Sequence, residues 1–300
     1  MNILLTGSNG FLGSYIFKHL SRKNNIYTLN SGASSYNVNL TKDVPLFNEH
    51  YDIVIHAAGK AHIVPKTESE IFSFDDVNVN GTVNLLQGLI NSEKPKMFVF
   101  ISSVSVYGLT KGENINEEYP LLATDPYGAS KIKAEEVVKK WCKEHNILLT
   151  ILRLPLVVGS NPPGNLGAMI NGIKKSHYFN ISGGNVKKSM VLASDIAKFI
   201  LNAAEIGGVY NLTDGIHPTF FDLSKNISQK LGKSFVPNLP VITAKTIALI
   251  GDIFGGNFPL NSNKLSKITS TLTFDDTKAR NAFGWKPTQV LEGFKLHDDA

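Results

Sequence analysis

The chain has 300 residues, 42% of them hydrophobic and 18% charged, which fits a soluble globular protein of one large domain or two interlocked ones. Its formal net charge of +5 comes from lysines scattered along the chain, so nucleic acid is not an expected partner and an anionic small molecule is a better match. Cys142 is the single cysteine, which excludes an intrachain disulfide and points to a reducing compartment.

The chain opens on an apolar run, 2–6, that leads straight into a glycine loop, without the basic start and longer apolar stretch of a signal peptide. Further apolar runs at 52–58, 97–102 and 148–154 lack in-out alternation, as expected of parallel strands covered on both faces. Weaker strands are expected at 26–30 and 38–40. Helix-period stretches fall at 12–22, 72–90 and 127–145. The Gly/Asn/Pro-rich stretch 159–167 reads as a loop, followed by a helix at 168–175, a turn at Gly183-Gly184 and a helix at 193–204. Beyond Leu212 short helices and turns are expected. One of them is 241–254, which Lys245 and Asp252 make too polar, and its length too short, for a membrane span; it should pack as an amphipathic helix. The alternation predicts an α/β protein with a Rossmann-type doubly wound parallel sheet over 1–160 and 188–213. A smaller, mostly helical substrate domain is expected over 161–187 and 214–300. A cytoplasmic location is expected.

Gly7, Gly10 and Gly13 follow the first strand and open a helix. Glycine there permits a sharp turn and lets backbone amides approach a pyrophosphate, while the helix N-terminus favours the anion. A dinucleotide is the implied ligand. The acidic residue that usually follows about 20 residues on, to hold the ribose 2′-hydroxyl, is replaced by Asn30, and no Arg or Lys comes before Lys42. Asn39 is expected to face the adenine edge. NAD and NADP both stay open as cofactor.

Tyr127 and Lys131 lie four positions apart, on one helical face, and Pro126 suits the helix start. A phenol with a pKa near 10 acts as a base at neutral pH only if its phenolate is stabilised, which a neighbouring ammonium can do. Ser102, Ser103 and Ser105 crowd the carboxyl end of the 97–102 strand, where ligands sit in open α/β sheets. One such serine can hold a substrate oxygen while the tyrosine moves its proton; strand-end capping accounts for at least one other. His56 and His62 lack the spacing of a metal site, and none is expected. Trp141, Cys142 and His145 read as packing residues.

The ordered set resembles the extended short-chain dehydrogenase/reductase family, NAD-dependent epimerase/dehydratase type. The matching pieces are the glycine loop, 56–59, 77–82, 102–108, 127–131, 152–155, 195–197, 278–280 and 283–287. The resemblance implies a nucleotide-sugar oxidoreductase with Tyr127 as acid/base, Lys131 on the nicotinamide ribose, and Ser103 on the reacting oxygen. It places Gly7, Asn9, Gly10, Phe11, Leu12, Gly13, Asn30, Asn39 and Leu40 along the cofactor. Ala57, Ala58, Gly59, Asn78, Ser102, Leu154 and Pro155 complete that set. Lys60, Asn165, Lys188 and Arg280 are the candidate substrate contacts, although Lys188 fits an exposed turn and Arg280 a helix cap nearly as well. In this family the 72–90 and 127–145 helices pair with their copies, which implies a homodimer.

Dehydratases of the family carry an Asp-Glu pair just after the serine or threonine; this chain has Val104-Ser105, so dehydration is disfavoured. A UDP-sugar 4-epimerase and an NADPH-dependent 4-keto-sugar reductase of surface polysaccharide biosynthesis remain. A non-catalytic NAD(P)-binding sensor or partner-binding protein is the reading of another class, ranked lower because the tyrosine, lysine and serine are all present.

Overall fold

The structure, a computed structural model, describes residues 1–61, 65–254 and 260–296. The first half of the chain alternates β1 (Asn2–Thr6), α1 (Phe11–Leu20), β2 (Asn25–Asn30), β3 (Tyr36–Asn37), β4 (Ile53–His56), α2 (Glu68–Asp75), α3 (Gly81–Ile90), β5 (Met97–Ser103), β6 (Gly112–Ile115) and α4 (Pro126–Glu144). Then come β7 (Leu148–Leu154), β8 (Leu156–Val158), α5 (Gly164–Lys174), β9 (Asn180–Ile181), β10 (Met190–Leu192), α6 (Ala193–Ile206) and β11 (Gly208–Asn211). The chain closes with α7 (Phe220–Lys230), β12 (Asn238–Leu239), α8 (Val241–Phe254), α9 (Ser262–Thr269), β13 (Leu272–Phe274), α10 (Thr277–Phe283) and α11 (Val290–Gly293).

A seven-stranded sheet in the order β11-β7-β5-β4-β1-β2-β3 is parallel throughout, so this is a Rossmann-like α/β fold. Strands alternate their side chains between two covered faces. Ile3 and Leu5 join Ile16, Ile200 and Trp285 on one side, while Leu4 joins Leu85, Val138 and Trp141 on the other. From β1 the chain builds outward through β2 and β3, then returns to add β4, β5, β7 and β11 on the other flank. The boundary between β1 and β4 is therefore the topological switch point, where a crevice opens at the carboxyl ends of the strands.

Several expectations are corrected. The third strand is Tyr36–Asn37 rather than 38–40, and it runs into a turn that Asn39 caps by accepting from the Thr41 N–H and hydroxyl. The 72–90 helix starts earlier, at Glu68, and is interrupted by a π-helical turn, Asp76–Asn80. In the loop expected at 159–167 a helix already starts at Gly164, so Asn165 lies exposed in its first turn. The edge strand β11 and the short parallel pairs β8–β10, β9–β12 and β6–β13 give no period-2 signal, because two to four residues are too few to show one. Residues 241–254 do form a helix, but with its large apolar side chains outward: Ala244 and Ala248 are buried while Ile242, Leu249 and Ile253 are exposed. Among the described residues no helix is long and apolar enough to cross a membrane.

Candidate active site

The glycine loop turns between β1 and α1. Gly7 has φ +72°, and a Cβ there would lie 2.6 Å from the Ala58 nitrogen, so both backbone conformation and space demand glycine. A Cβ at Gly13 would strike the Gly7 carbonyl, which is what lets α1 close onto the loop. The Gly7 N–H donates to the Leu29 carbonyl (3.2 Å) and the Gly10 N–H to that of Gly7 (2.9 Å). Gly10 caps α1 without a side-chain hydrogen bond, so the first-turn amides stay open toward an anion. A cradle that admits no Cβ, at a switch point and beside an open helix N-terminus, fits a dinucleotide pyrophosphate. Asn30, in the usual position of the ribose-binding acid, donates to Ser8 Oγ (2.8 Å) and accepts from the Asn9 N–H (3.5 Å). It braces the loop and brings no charge.

The second wall is the 57–60 segment after β4. His56 is buried between Thr6 Oγ1 (2.7 Å from Nδ1) and Thr82 Oγ1 (2.9 Å from Nε2). Thr82 Oγ1 donates to the Asn78 carbonyl, so Nε2 carries the ring proton and Nδ1 accepts from Thr6. Burial drives the His56 pKa down to about 3, with the Lys131 charge adding to the effect, so the ring is a neutral strut. Asn78 sits in the π-helical turn, a feature frequent at functional sites. Its Oδ1 accepts from the Lys60 N–H (2.7 Å), and its Nδ2 donates to the Lys60 carbonyl (3.1 Å) and Ser130 Oγ (2.9 Å). Asn78 thus clamps the 57–60 wall to α4. A Cβ on Gly59 would come within 3.1 Å of both Asn78 Oδ1 and Lys131 Nζ. His62 lies outside the described residues.

The candidate catalytic group assembles where β5 meets α4. Asp125 caps α4 by accepting from the Gly128 N–H (3.1 Å) and Pro126 occupies its first turn, which sets Tyr127 and Lys131 on the helix face toward β5. Tyr127 is partly exposed, close enough to Ser103 for the serine side chain to act on its pKa, with its ring 6.1 Å from that of Phe74. Burial raises the phenol pKa and the nearby Asp125 charge adds to this, while the Ser103 hydrogen bond opposes both. Lys131 is 6% exposed; its Nζ donates to the Ile101 carbonyl (2.9 Å) and lies 4.8 Å from the Phe100 ring centroid. Burial pulls its pKa down to about 8 against the opposing pull of Glu135. An ammonium has three donors, so others remain for a ligand. Ser103 Oγ receives the Ser105 N–H (3.1 Å) and donates to Ser105 Oγ (3.1 Å), through a tight turn over Val104–Tyr107 that carries no carboxylate.

Beneath this group lies a buried ionic network that sequence reasoning missed. Glu135, one helical turn past Lys131, accepts from Arg153 Nε (3.0 Å) and Nη2 (2.8 Å), from Ser102 Oγ (2.6 Å) and from Lys139 Nζ (3.2 Å). Arg153 Nη1 donates to Tyr107 Oη (3.1 Å), which donates to Asn211 Oδ1 (2.8 Å). Burial alone would raise the Glu135 pKa, yet the Arg153 hydrogen bonds and charge leave it lowered. The hydroxyl of Ser102, expected along the cofactor, is spent here. The spacing of Glu135 from Lys131 was a signal available in the sequence.

Leu154, one of the expected cofactor contacts, ends β7, and Pro155, another, lies between β7 and β8. The candidate substrate contacts do not share one place. Lys60 Nζ donates to Ser73 Oγ (2.6 Å) near the catalytic group. Arg280, in α10, pairs with the carboxylate of Asp276 just before that helix (Nε to Oδ1, 2.7 Å) and caps neither helix end. Lys188 lies half-buried, its N–H bonded to the Pro218 carbonyl; burial pulls its pKa down to about 8, and its ammonium has no ion-pair partner among the described residues.

The profile of the NAD dependent epimerase/dehydratase family matches residues 3–213. The chain is 27% identical over 317 aligned positions to the UDP-glucose 4-epimerase of Vibrio cholerae, covering 98% of this chain and 93% of that one. It is 26% identical to the N-acetyl-alpha-D-glucosaminyl-diphospho-ditrans,octacis-undecaprenol 4-epimerase of Escherichia coli O157:H7, covering 97% and 92%. The fold is similar to that of the UDP-glucose 4-epimerase of Thermotoga maritima solved with UDP-glucose, with TM-score 0.79, 23% identity, and coverage of 99% and 97%. That family profile spans well over half of the chain, and the chain belongs to the NAD dependent epimerase/dehydratase family.

Proposed function

We propose that this protein is a UDP-sugar 4-epimerase, and that Tyr127, Lys131 and Ser103 are its catalytic residues. The observation that carries the reading is the meeting of these three side chains at the carboxyl end of β5, with Val104-Ser105 where a dehydratase would hold carboxylates. Ser103 holds the C4 oxygen of the sugar, and Tyr127 takes the hydroxyl proton and later returns it. Lys131, still largely protonated below pH about 8, stabilises the phenolate, while Phe74 and the 57–60 wall exclude water. A dinucleotide held by the glycine loop and the N-terminus of α1 would supply the hydride acceptor and donor. Asn78 and His56 position that wall.

Lys188 is proposed as a contact for the substrate diphosphate, because its ammonium is desolvated and unpaired among the described residues. The division into a dinucleotide domain over 1–160 and 188–213 and a substrate domain over 161–187 and 214–300 belongs to this proposal, as does a cytoplasmic location. A homodimer through the α2/α3 and α4 helices is supported by exposed Ile71, Phe72 and Ile90. The uncharged Asn30 favours a second reading, an NADPH-dependent 4-keto-sugar reductase.

The test is incubation of the purified protein with UDP-hexoses, UDP-N-acetylhexosamines, 4-keto sugars and a lipid-carried sugar diphosphate of the kind named for the Escherichia coli relative. Interconversion of C4 epimers without net cofactor consumption supports the epimerase. NADPH consumption that requires a 4-keto sugar supports the reductase. Dinucleotide binding with no conversion of any sugar overturns both and leaves the sensor.

A further inference from the structure

Of the serines that crowd the carboxyl end of β5, Ser102 gives its hydroxyl to Glu135 and Ser103 lies close enough to Tyr127 to act on the phenol. Ser105 is left. Among the described residues its side chain has one partner, the Ser103 hydroxyl, and the two residues are joined twice. The Ser105 N–H donates to Ser103 Oγ (3.1 Å), and Ser103 Oγ donates to Ser105 Oγ (3.1 Å). The first bond makes Ser103 the cap of the short turn over Val104–Tyr107 and fixes where its oxygen sits. The second occupies its proton.

A hydroxyl has one proton and two lone pairs, and it rotates to suit its partners. In the observed setting Ser103 Oγ accepts from the Ser105 backbone, gives its proton to Ser105, and keeps one lone pair for a ligand. It can accept from a sugar hydroxyl or from the Tyr127 phenol, but it has nothing to give. The reaction proposed above needs both roles. An alcohol oxygen on the sugar has a proton to donate. Once that carbon is a ketone its oxygen only accepts, so Ser103 must then be the donor. If Ser103 turned alone, its bond to Ser105 Oγ would be lost. Ser105 avoids that loss because its own hydroxyl can turn as well. Ser105 then donates to Ser103 Oγ through both its N–H and its O–H, and Ser103 donates to the reacting oxygen. The bond between the two hydroxyls persists with its direction reversed, and hydrogen bonds in such a chain strengthen one another. Only rotation about C–O bonds is involved, and each serine keeps its own proton.

We propose that Ser105 is a positioning residue whose hydroxyl reverses together with that of Ser103, so that Ser103 passes from acceptor to donor as the sugar oxygen passes from alcohol to carbonyl. The proposal rests on the assignment of Ser103 and Tyr127 to the reacting oxygen. Among the described residues, the charged groups around Tyr127 are Asp125 and Lys131 at its own helix, Lys133 paired with Asp75 of α2, and Lys60, whose ammonium lies 5.6 Å from the Phe74 ring centroid. The turn that carries Ser105 has none, and a substitution at 105 leaves all of these groups in place.

The test titrates Tyr127 on the purified protein, before any sugar is added, as the tyrosinate absorbance that Tyr127→Phe lacks. Ser105→Ala should raise the Tyr127 pKa by about half a unit, because the phenolate loses the strengthening that Ser105 passes on through Ser103. Ser105→Thr keeps the hydroxyl and should titrate as wild type, whereas the isosteric Ser105→Val should titrate as Ser105→Ala. That Thr/Val pair decides if the alanine variant fails to fold. In a Ser103→Ala background, Ser105→Ala should shift nothing further, since its effect passes through Ser103. With a sugar that is turned over, Ser105→Ala should lower kcat roughly two- to tenfold and leave KM unchanged. A Tyr127 pKa unmoved by loss of the 105 hydroxyl, or moved equally with Ser103 absent, overturns the proposal. So does a Ser105→Thr variant that titrates like Ser105→Val, since side-chain volume would then be the cause. A protein that converts no sugar loses the epimerase reading, while the titration still decides the hydroxyl pair.

Discussion

Replacing Glu135 by Gln removes one charge while leaving the shape of the side chain almost unchanged. Glu135 is fully buried and Arg153 is 3% exposed, so the guanidinium would keep its charge with no buried counter-ion. Breaking a buried pair from one side costs about 3–5 kcal/mol. Counting bonds leads to a similar figure: two charge-assisted hydrogen bonds from Arg153, at 3.0 and 2.8 Å, are worth roughly 1.5–3 kcal/mol each. The Lys139 contact adds little, because the lysine side chain is 41% exposed. We expect a loss of about 4 kcal/mol, a large share of the ~5–15 kcal/mol that holds a typical domain together. In thermal unfolding this should lower the melting temperature by about 10 °C. Activity should respond as well. The Glu135 charge supports protonation of Lys131, so its removal moves the lysine pKa below about 8 and shifts the alkaline limb of the rate profile to lower pH. A stability loss under about 1 kcal/mol, with an unmoved alkaline limb, refutes the reasoning. The double variant Glu135→Leu/Arg153→Met should recover most of the lost stability, because buried pairs can often be replaced by apolar residues.

Tyr127→Phe should reduce turnover by roughly 10²–10⁴-fold with dinucleotide binding retained, as read by steady-state kinetics and cofactor fluorescence; full activity would remove Tyr127 from the mechanism. Gly7→Ala forces a strained φ and a Cβ into the Ala58 backbone, so it should cost about 1–3 kcal/mol and release the dinucleotide, measurable by calorimetry. His56 ionises near 6.5 when unfolded and only near about 3 when folded, so the unfolded chain binds more protons between these values. Stability should therefore fall as pH drops from 6.5 toward 3, and more steeply in wild type than in His56→Gln, as read from melting temperature against pH. Lys188→Gln should raise the KM for a nucleotide sugar with little change in kcat. In wild type that KM should rise as pH passes upward through about 8, where the ammonium is lost; an unchanged KM in the variant would remove Lys188 from the substrate site.

The sequence by itself determined the strand–helix alternation, the glycine loop and the Tyr127/Lys131 pair, since each rests on local periodicity or on a backbone demand that one residue type meets. Pro126 and Asp125 start α4 within a single turn, so the spacing of Tyr127 and Lys131 becomes geometry without help from the rest of the chain. What only the tertiary structure decided depends on partners far apart in sequence. Asn78 clamps Lys60 and Ser130 because a π-helical turn reorients it, and no local pattern marks such a turn. Arg153 meets Glu135 because β7 lies beside β5 under α4, which ties up the Ser102 hydroxyl. The outward stripe of α8 was hidden for the same reason: periodicity identifies the helix, but the packing of α9 against its small residues determines which face is buried.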